Sequence, residues 1–212
     1  AVIGLSGPGG HTARPELTVD LVGLAAKVVT ELPGRVAAAV AHIDHDHATL
    51  VKVVFGSLHA GDAANVIPTH GVIKASIRTP SLAVWDVLAD VFERELHSVV
   101  AGSGAEVDLD YTHGVPPVVN DRAVTGIVGE AAAAAFGATC VEEVQQSWGG
   151  DDFAWFTREV PGTYVRLGVR DPHGPTLDLH AGHFDVDERS IAIGVQLLTA
   201  TVERFFAGHA EA

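Results

Sequence analysis

Residues 71–78 read Gly-Val-Ile-Lys-Ala-Ser-Ile-Arg, and this stretch decides the fold class. Apolar and polar side chains alternate along it, as they do in a strand with one buried face. One face carries Ile73, Ala75 and Ile77, and the other carries Val72, Lys74, Ser76 and Arg78. Residues 106–112 alternate in the same way. Such alternation is typical of a sheet with one covered face and one face open to solvent or a partner.

The segments around these two strands predict a βαββαβ order. Residues 2–5 and 48–55 are β-branched and apolar, as buried strands are. A first helix begins near Asp20 and is expected to end at Pro33-Gly34; its apolar face holds Leu21, Ala25, Val28 and Leu32. A second helix opens at Pro80-Ser81 and ends at residues 102–104; its buried stripe holds Trp85, Leu88, Phe92 and Val99. Residues 1–115 are therefore predicted to form a ferredoxin-like α+β sandwich.

The pattern of predicted elements changes after Pro116-Pro117, from strands alternating with helices to mostly helices. Residues 122–136 predict an Ala-rich helix, residues 163–169 a strand, and residues 187–206 a long helix with Asp187 at its cap. The inward face of that last helix is expected to hold Ile191, Val195, Leu198, Val202 and Phe206. With so few strands to cover its helices, the segment 116–212 is predicted to be part of a larger α/β layer whose other strands lie upstream.

Composition excludes several classes of protein. The 212 residues carry 27 acidic and 13 basic side chains, a net charge of −14, which disfavours binding to nucleic acid or to an anionic membrane surface. No continuous apolar run reaches the roughly 18 residues that a membrane span needs. The single cysteine, Cys140, is expected to be buried and fits a cytoplasmic protein. Because methionine is absent and residue 1 lies inside a predicted strand, we expect it to be a processing, cloning or truncation point.

Several motifs allow both a chemical and a plain structural interpretation. The glycine-rich residues 4–10 lack the Lys-Ser/Thr of a P-loop, and Pro8 replaces the second glycine of a serine-hydrolase elbow at Ser6. Residues 4–10 are then either a turn or a place where the backbone approaches a ligand beside His11. Residues 42–47 alternate histidine with aspartate for the most part, which suits a metal cluster or, more simply, a solvated turn.

The remaining polar candidates are equally open when each is taken alone. Asn65 fits a turn before a strand, and Arg78 is either a surface charge or a fork for a carboxylate. Asp151 and Asp152 suit a helix cap. His180, which lies in a loop before the last helix, is either solvated or a ligand.

The order of these motifs carries a resemblance. Gly-Gly-His-x-Ala-x-Pro at 9–15 precedes Ala-Asn-Val-Ile-Pro at 64–68 and Arg-Thr at 78–79. Asp-Asp-Phe-Ala-x-Phe then begins at 151, Val-Pro-Gly-x-Tyr-x-x-Leu-Gly at 160, and Leu-His-x-x-x-Phe-x-x-Asp-Glu at 179. The series resembles the zinc aminoacylase, carboxypeptidase G and hippurate hydrolase family of metallopeptidases, above all its amidohydrolase branch, and only the C-terminal portion of such enzymes.

The resemblance implies a division of labour. Residues 1–115 look like the lid, or dimerisation, domain, and residues 116–212 like the C-terminal part of an α/β zinc-peptidase catalytic domain. Such enzymes hydrolyse N-acyl amino acids or small peptides with a free carboxylate, as homodimers, using two divalent metal ions (zinc, manganese or cobalt). The matching positions are His180 as a metal ligand, His11 as the lid histidine that stabilises the oxyanion in the partner subunit, and Asn65, Arg78, Gly149 and Gly150 as substrate contacts.

This chain departs from the family pattern in two places. Asp151 stands where the family usually has glutamate, and the upstream metal-binding motifs and the catalytic glutamate do not occur in these 212 residues. We therefore expect the chain to be inactive alone. The alternatives are a non-catalytic ferredoxin-like protein that binds a ligand, regulates a partner or dimerises, and a serine hydrolase that uses Ser6.

Overall fold

The computed structural model describes residues 1–47, 49–177 and 179–209. It divides into two compact units. The first unit comprises Ala1–Pro117 with Ser147–Asp151, and the second comprises Val118–Gln146 with Asp152–Ala212.

The first unit is an α+β sandwich with the predicted βαββαβ order. Its main elements are β1 (Val2–Ser6), α1 (Leu21–Val40), β3 (Lys52–Ala60), β5 (His70–Arg78), α2 (Leu82–Val100) and β6 (Glu106–Asp110). The four strands form one antiparallel sheet in the order β3-β5-β1-β6. Two further short strands, β2 (Gly10–His11) and β4 (Val66–Ile67), pair with each other in a separate ribbon that the sequence did not predict.

One face of this sheet is buried beneath the two helices. Ile3 on β1 lies opposite Ile73 on β5 and Leu109 on β6, so the apolar side chains of three strands share that face. Together with α1 and α2 they form a single core. Its largest fully buried side chains include Phe92, Leu96, Leu21, Leu32, Ile3, Leu5 and Ile73. The other face leaves Lys74 and Arg78 exposed, as the alternation predicted. Lys52 and Val54 of β3 are exposed as well, so this strand is not buried on both faces as its apolar composition predicted.

Helix α1 does not end at Pro33-Gly34, which corrects the sequence-based prediction. It runs through Pro33 to Val40, and Val36 and Val40 are fully buried. A proline inside a helix costs about 3 kcal/mol, whereas burying each of these two valines stabilises the fold by about 1.5–3 kcal/mol. Burial of the continued apolar stripe therefore offsets the broken hydrogen bond. Asp20 caps the helix, since its Oδ1 accepts from the Gly23 N–H at 2.9 Å.

Two other predictions for the first unit need adjustment. Strand β3 begins at Lys52 and extends to Ala60 rather than covering residues 48–55; Ala48 lies outside the described residues. A register shift between Phe55 and Ser57 lets the strand continue beyond the predicted end. Trp85 is only half-buried, because its ring stacks on His113 with the centroids 3.9 Å apart instead of entering the core.

The second unit is helical within the part of the chain that the structure describes. Its helices are α3 (Arg122–Phe136), α4 (Phe153–Glu159) and α5 (Arg189–His209), so the predicted helices are confirmed. The predicted strand at residues 163–169 is wrong: these residues form no sheet ladder. They are tied instead by side chains, because Asn120 donates to the Tyr164 carbonyl at 3.0 Å and accepts from its N–H at 2.8 Å. A strand needs a neighbouring strand, and the described residues of this unit offer none.

The inward face predicted for α5 is exposed, which is a further correction. Ile191, Val195, Leu198, Val202 and Phe206 are between 54% and 67% exposed. An apolar stripe is buried only where another layer covers it. Among the described residues, Arg204 of α5 pairs with Glu130 of α3, but the apolar side chains of this stripe stay exposed. Cys140, expected to be buried, is exposed as well.

Helix α5 is also apolar enough, by length and composition alone, to cross a membrane, with a mean hydropathy of 1.2. A single helix of this kind is weak evidence for a membrane span, because the buried core helix of a soluble protein and a signal sequence pass the same test. Glu203 and Arg204 interrupt the apolar sequence near the C-terminal end of this helix, and Arg204 pairs with Glu130 of α3.

Candidate functional site

The β2–β4 ribbon brings together two of the predicted site residues. His11 lies opposite Val66, and the Thr12 N–H donates to the Asn65 carbonyl at 3.4 Å. Asn65 sits in the turn directly before β4, and both His11 and Asn65 are exposed. A histidine and an amide separated by 54 positions in the sequence are thus neighbours at one end of the first unit.

The two glycines before His11 are required by contacts within the chain. A Cβ on Gly9 would lie 2.7 Å from Thr69 Cγ2 and 2.8 Å from the Ile67 carbonyl oxygen. A Cβ on Gly10 would lie 2.4 Å from Thr18 Cγ2. The glycines therefore permit close packing of the ribbon against Thr18 and Thr69.

The backbone selects the tautomer of His11. The Ala13 N–H donates to His11 Nδ1 at 3.0 Å, so the neutral ring carries its proton on Nε2. The exposed Nε2–H is a free hydrogen-bond donor directed away from the turn that holds Nδ1. Chemically, this arrangement can donate to an oxygen that gains negative charge.

A second cluster lies at the far end of β5. Arg78 Nη1 donates to the Trp148 carbonyl oxygen at 2.6 Å, and Gly149 and Gly150 follow directly. A Cβ on Gly150 would lie 2.6 Å from Val115 Cγ2, so only glycine fits there without a shift. The structure therefore places Arg78 beside both predicted glycines. We call Lys52, Arg78 and Trp148 the Arg78 cluster.

The ribbon and the Arg78 cluster do not meet within one chain. The ribbon adjoins the start of β5, since the Gly7 N–H donates to the Thr69 carbonyl and Ser6 lies opposite His70. Arg78 is the last residue of the same strand. At about 3.3 Å per residue, the length of β5 separates the two clusters by about 25 Å. One small substrate does not reach both.

His180 lies in an exposed turn of the second unit and adopts a left-handed backbone conformation, with φ of 69°. A non-glycine residue in this region is strained, and such strain often accompanies a functional position. The Phe184 N–H donates to the Ala181 carbonyl at 3.0 Å in the turn that follows. Asp152, one of the two acids proposed as a helix cap, starts α4 without a side-chain hydrogen bond to it.

Metal-binding side chains are sparse in the described parts of the chain, which contain no group of three or more histidine, cysteine or acidic residues placed to hold a metal ion. These residues alone do not fit a dinuclear centre. The 42–47 segment is a turn in which Asp44 Oδ2 lies 3.2 Å from His47 Nδ1. The pKa of Asp44 is lowered first by the Ser81 hydroxyl and then by the Asp46 N–H and His47.

The serine-hydrolase hypothesis gains no support from the geometry. Ser6 Oγ lies 3.5 Å from Glu106 Oε2, and the neighbouring His70 directs Nδ1 toward the Thr69 hydroxyl at 2.8 Å. A serine nucleophile needs a base within hydrogen-bond reach, and here the histidine is engaged elsewhere.

Two members of the Arg78 cluster were missed at the sequence level. Trp148 follows a polar segment without periodicity, so nothing in the sequence connects it to a strand end 70 residues earlier. Lys52 is a single charge at the start of an otherwise largely apolar strand. The only available signal was its register opposite Arg78, which depends on a pairing that the sequence does not reveal.

Known proteins resemble this chain over nearly all of its length. Residues 6–204 match peptidase family M20/M25/M40. N-acetylcysteine deacetylase of Bacillus subtilis is 26% identical over 91% of this chain and 48% of its own. N-acetyldiaminopimelate deacetylase of Shouchella clausii is 28% identical over 93% of this chain and 50% of its own. A Rhodococcus jostii protein assigned as a glutamate–cysteine ligase is 38% identical over 91% of this chain and 24% of its own.

Solved structures show the same fold. An aminohydrolase from methicillin-resistant Staphylococcus aureus superposes with a TM-score of 0.82 at 23% identity, covering 97% of this chain and 51% of its own. The YXEP protein of Bacillus subtilis, a dinuclear metal-binding peptidase, superposes with a TM-score of 0.68 at 22% identity, covering 94% of this chain and 47% of its own.

The chain thus spans about half or less of the length of these curated relatives. The family match, in contrast, covers both compact units rather than one of them. This chain belongs to peptidase family M20/M25/M40.

Proposed function

We propose that this chain is part of a metal-dependent amidohydrolase that cleaves the amide bond of N-acyl amino acids or small peptides. The observation that carries the proposal is the family match over residues 6–204. The deacetylases among its relatives act on N-acetylated amino acids, which supports a small acylated substrate for this chain.

In this proposal Arg78 binds the free carboxylate of the substrate. A guanidinium has five N–H donors in a planar fork, and the bond from Nη1 to the Trp148 carbonyl fixes its orientation. The exposed N–H groups that remain suit a carboxylate. The backbone at Gly149 and Gly150 lies beside the same end of β5 and contacts the bound substrate.

His11 stabilises the oxyanion of the tetrahedral intermediate through Nε2–H, and Asn65 contacts the substrate beside it. Because the ribbon and the Arg78 cluster are about 25 Å apart along β5, we propose that His11 and Asn65 serve the site of a partner subunit. The homodimer forms through the first unit, which is the lid domain (residues 1–115). The open face and edges of its sheet support this role.

Residues 116–212 are proposed to be the C-terminal part of the catalytic domain, in a cytoplasmic enzyme. Two divalent ions (zinc, manganese or cobalt) act as Lewis acids in the complete site, and His180 is the ligand that this chain contributes. Since a four-coordinate ion needs more donors than one histidine, the other ligands and the general base are proposed to lie outside this chain. Alone, the chain is inactive.

Hydrolysis of a panel of N-acetyl and N-benzoyl amino acids tests this proposal. We expect no turnover by the 212-residue chain with zinc, manganese or cobalt. We expect turnover when the chain replaces the matching half of the Bacillus subtilis deacetylase, and its loss on His180→Ala. Arg78→Ala in that chimaera is expected to raise KM. Metal-dependent turnover by the chain alone would refute the proposed division of the site.

The non-catalytic alternative, a ferredoxin-like binding or regulatory protein, is not favoured by the comparisons, because a peptidase family matches residues 6–204 and two of the relatives over both units are deacetylases. Substitution of Ser6 by alanine separates the serine-hydrolase hypothesis from the others. The chimaera is expected to keep its turnover in Ser6→Ala.

A further inference from the structure

Two cations lie directly opposite each other at one end of the sheet. Lys52 begins β3 and Arg78 ends β5, and the two residues are cross-strand partners. The Cβ atoms of such partners are about 5 Å apart, and like charges in this arrangement destabilise a sheet. Both side chains are exposed on the face that the helices leave open.

Trp148 connects the two cations. Its carbonyl oxygen accepts from Arg78 Nη1 at 2.6 Å, and the Lys52 ammonium lies 3.9 Å from the centroid of its indole ring. A cation over an indole face is held by the ring quadrupole, so the Lys52 side chain has a defined position. The indole ring and the backbone carbonyl of Trp148 therefore hold both cations at the same end of β5.

Neither cation has a carboxylate partner among the residues that the structure describes. Elsewhere in the described residues Arg35, Arg94, Arg189 and Arg204 each pair with a carboxylate, and acidic residues outnumber basic ones by 27 to 13. Two fixed and uncompensated positive charges favour a ligand with two negative groups.

We propose that Lys52 is a specificity-determining residue that binds a second anionic group of the substrate, next to the carboxylate held by Arg78. The substrate class is then an N-acylated acidic amino acid, or a peptide that ends in one. This inference rests on the proposed function only in assigning the α-carboxylate to Arg78. The charge pair itself favours a doubly anionic ligand whatever the reaction.

Binding to the full 212-residue chain tests the inference without any need for turnover. N-acetyl-L-glutamate and N-acetyl-L-glutamine have nearly the same shape and differ in the charge of the side chain. The indole N–H signals of the three tryptophans in a two-dimensional NMR titration report the binding, and Trp148→Phe assigns the signal of the cluster. We expect the glutamate ligand to bind about tenfold more tightly, as one added hydrogen bond between charged groups allows.

Three variants define the role of Lys52. Lys52→Met keeps an apolar side chain against the indole and removes the charge. The ratio of the affinities for N-acetyl-L-glutamate and N-acetyl-L-glutamine is therefore expected to fall to about one. Lys52→Arg restores the charge and the preference. Lys74→Met is the matched control, because Lys74 is exposed on the same face of β5 but lies opposite Val2 and Ser57. It removes one charge from the same sheet and is expected to keep the preference.

Equal binding of both ligands by the unsubstituted chain overturns the inference and leaves the proposed function standing. The inference is also overturned if Lys52→Met keeps the preference for N-acetyl-L-glutamate, or if Lys74→Met abolishes it equally. Either result would mean that the overall positive potential of this sheet face, rather than Lys52, selects the ligand. Failure to bind either ligand overturns both this inference and the carboxylate role of Arg78. Absence of turnover in the chimaera, with the tenfold preference intact, removes the proposed reaction alone.

Discussion

The two units of this chain differ in whether the apolar faces of their helices are buried. In the first unit, Leu88, Phe92 and Leu96 of α2 are at most 2% exposed, because a sheet and α1 cover them. In the second unit, Ile191, Leu198 and Phe206 of α5 also share one face of a helix and are at least 65% exposed. An amphipathic pattern specifies which face of a helix is apolar. That face contributes to stability only where a second layer of structure buries it.

The largest effect that tests this difference is expected in hydrogen exchange. Amides in the middle of α2 should exchange about a thousandfold more slowly than amides in the middle of α5, because opening α2 exposes a packed core. Exchange measured by NMR or mass spectrometry at one pH compares the two helices in a single sample. Equal protection of both would show that the apolar face of α5 is covered in solution.

A matched pair of substitutions sharpens the comparison. Phe92→Ala is expected to lower the free energy of unfolding by about 3–5 kcal/mol, since it leaves a cavity in the core. Phe206→Ala removes the same atoms from a side chain that is 65% exposed, and it should change that free energy by less than about 0.5 kcal/mol. Urea unfolding followed by circular dichroism measures both. Comparable losses in the two variants would contradict the assignment of α5 as uncovered.

Helix caps offer a smaller test. Asp20 accepts from the Gly23 N–H and Asp121 from the Val124 N–H, both at 2.9 Å. Replacing either by alanine should cost about 1 kcal/mol. For Asp20→Ala this loss should shift the cooperative unfolding of the first unit. For Asp121→Ala it should reduce helical signal without moving that transition; a shared shift would mean that the two units unfold together.

The smallest expected effect concerns acid pH. The pKa of Asp44 is lowered from 3.8, first by the Ser81 hydroxyl, and that of Asp187 is lowered from 3.8, first by Arg189. A carboxylate whose pKa is lower in the folded than in the unfolded state stabilises the fold fully when the pH is above its unfolded-state pKa. This contribution is lost as the pH falls through its folded-state pKa. Asp44→Asn should therefore lower stability at pH 7 but not at pH 2, as urea unfolding at each pH would show.

Carboxyl NMR titration separates the two causes. In 1 M salt the pKa of Asp187 should rise toward its ordinary value, because its partner is a charged side chain and salt screens exposed charges. The pKa of Asp44 should move less, since its main partner is a neutral hydroxyl. Ser81→Ala is the control, and it should raise the pKa of Asp44 specifically. Equal salt responses would contradict these assigned causes.

Much of the first unit could be predicted from local patterns. The alternation in residues 71–78 and 106–112, and the apolar stripe of α2, specify elements whose period is independent of their neighbours. Pro33 shows the limit of local rules, because burial of Val36 and Val40 outweighs the preference of proline for a helix end. The predicted strand at 163–169 fails for the opposite reason: the pattern is present, and the pairing partner is missing from the described residues.

The candidate site shows the same division. The residue types and their order identified His11, Asn65, Arg78 and His180 as candidates, and this order reflects the family to which the chain belongs. Sequence alone could not show that His11 and Asn65 share a ribbon, that Arg78 lies at the other end of β5, or that Lys52 and Trp148 complete its surroundings. These relations depend on register and on contacts between residues far apart in the chain.

By itself, the sequence determined the periodicity of each helix and strand, the α+β class of the first unit, and the family. Each follows from side-chain order, which is a local property of the chain. Only the tertiary structure decided which apolar faces are buried and where two cations meet. Burial, charge proximity and hydrogen bonding depend on distances in space, and strand pairing sets those distances.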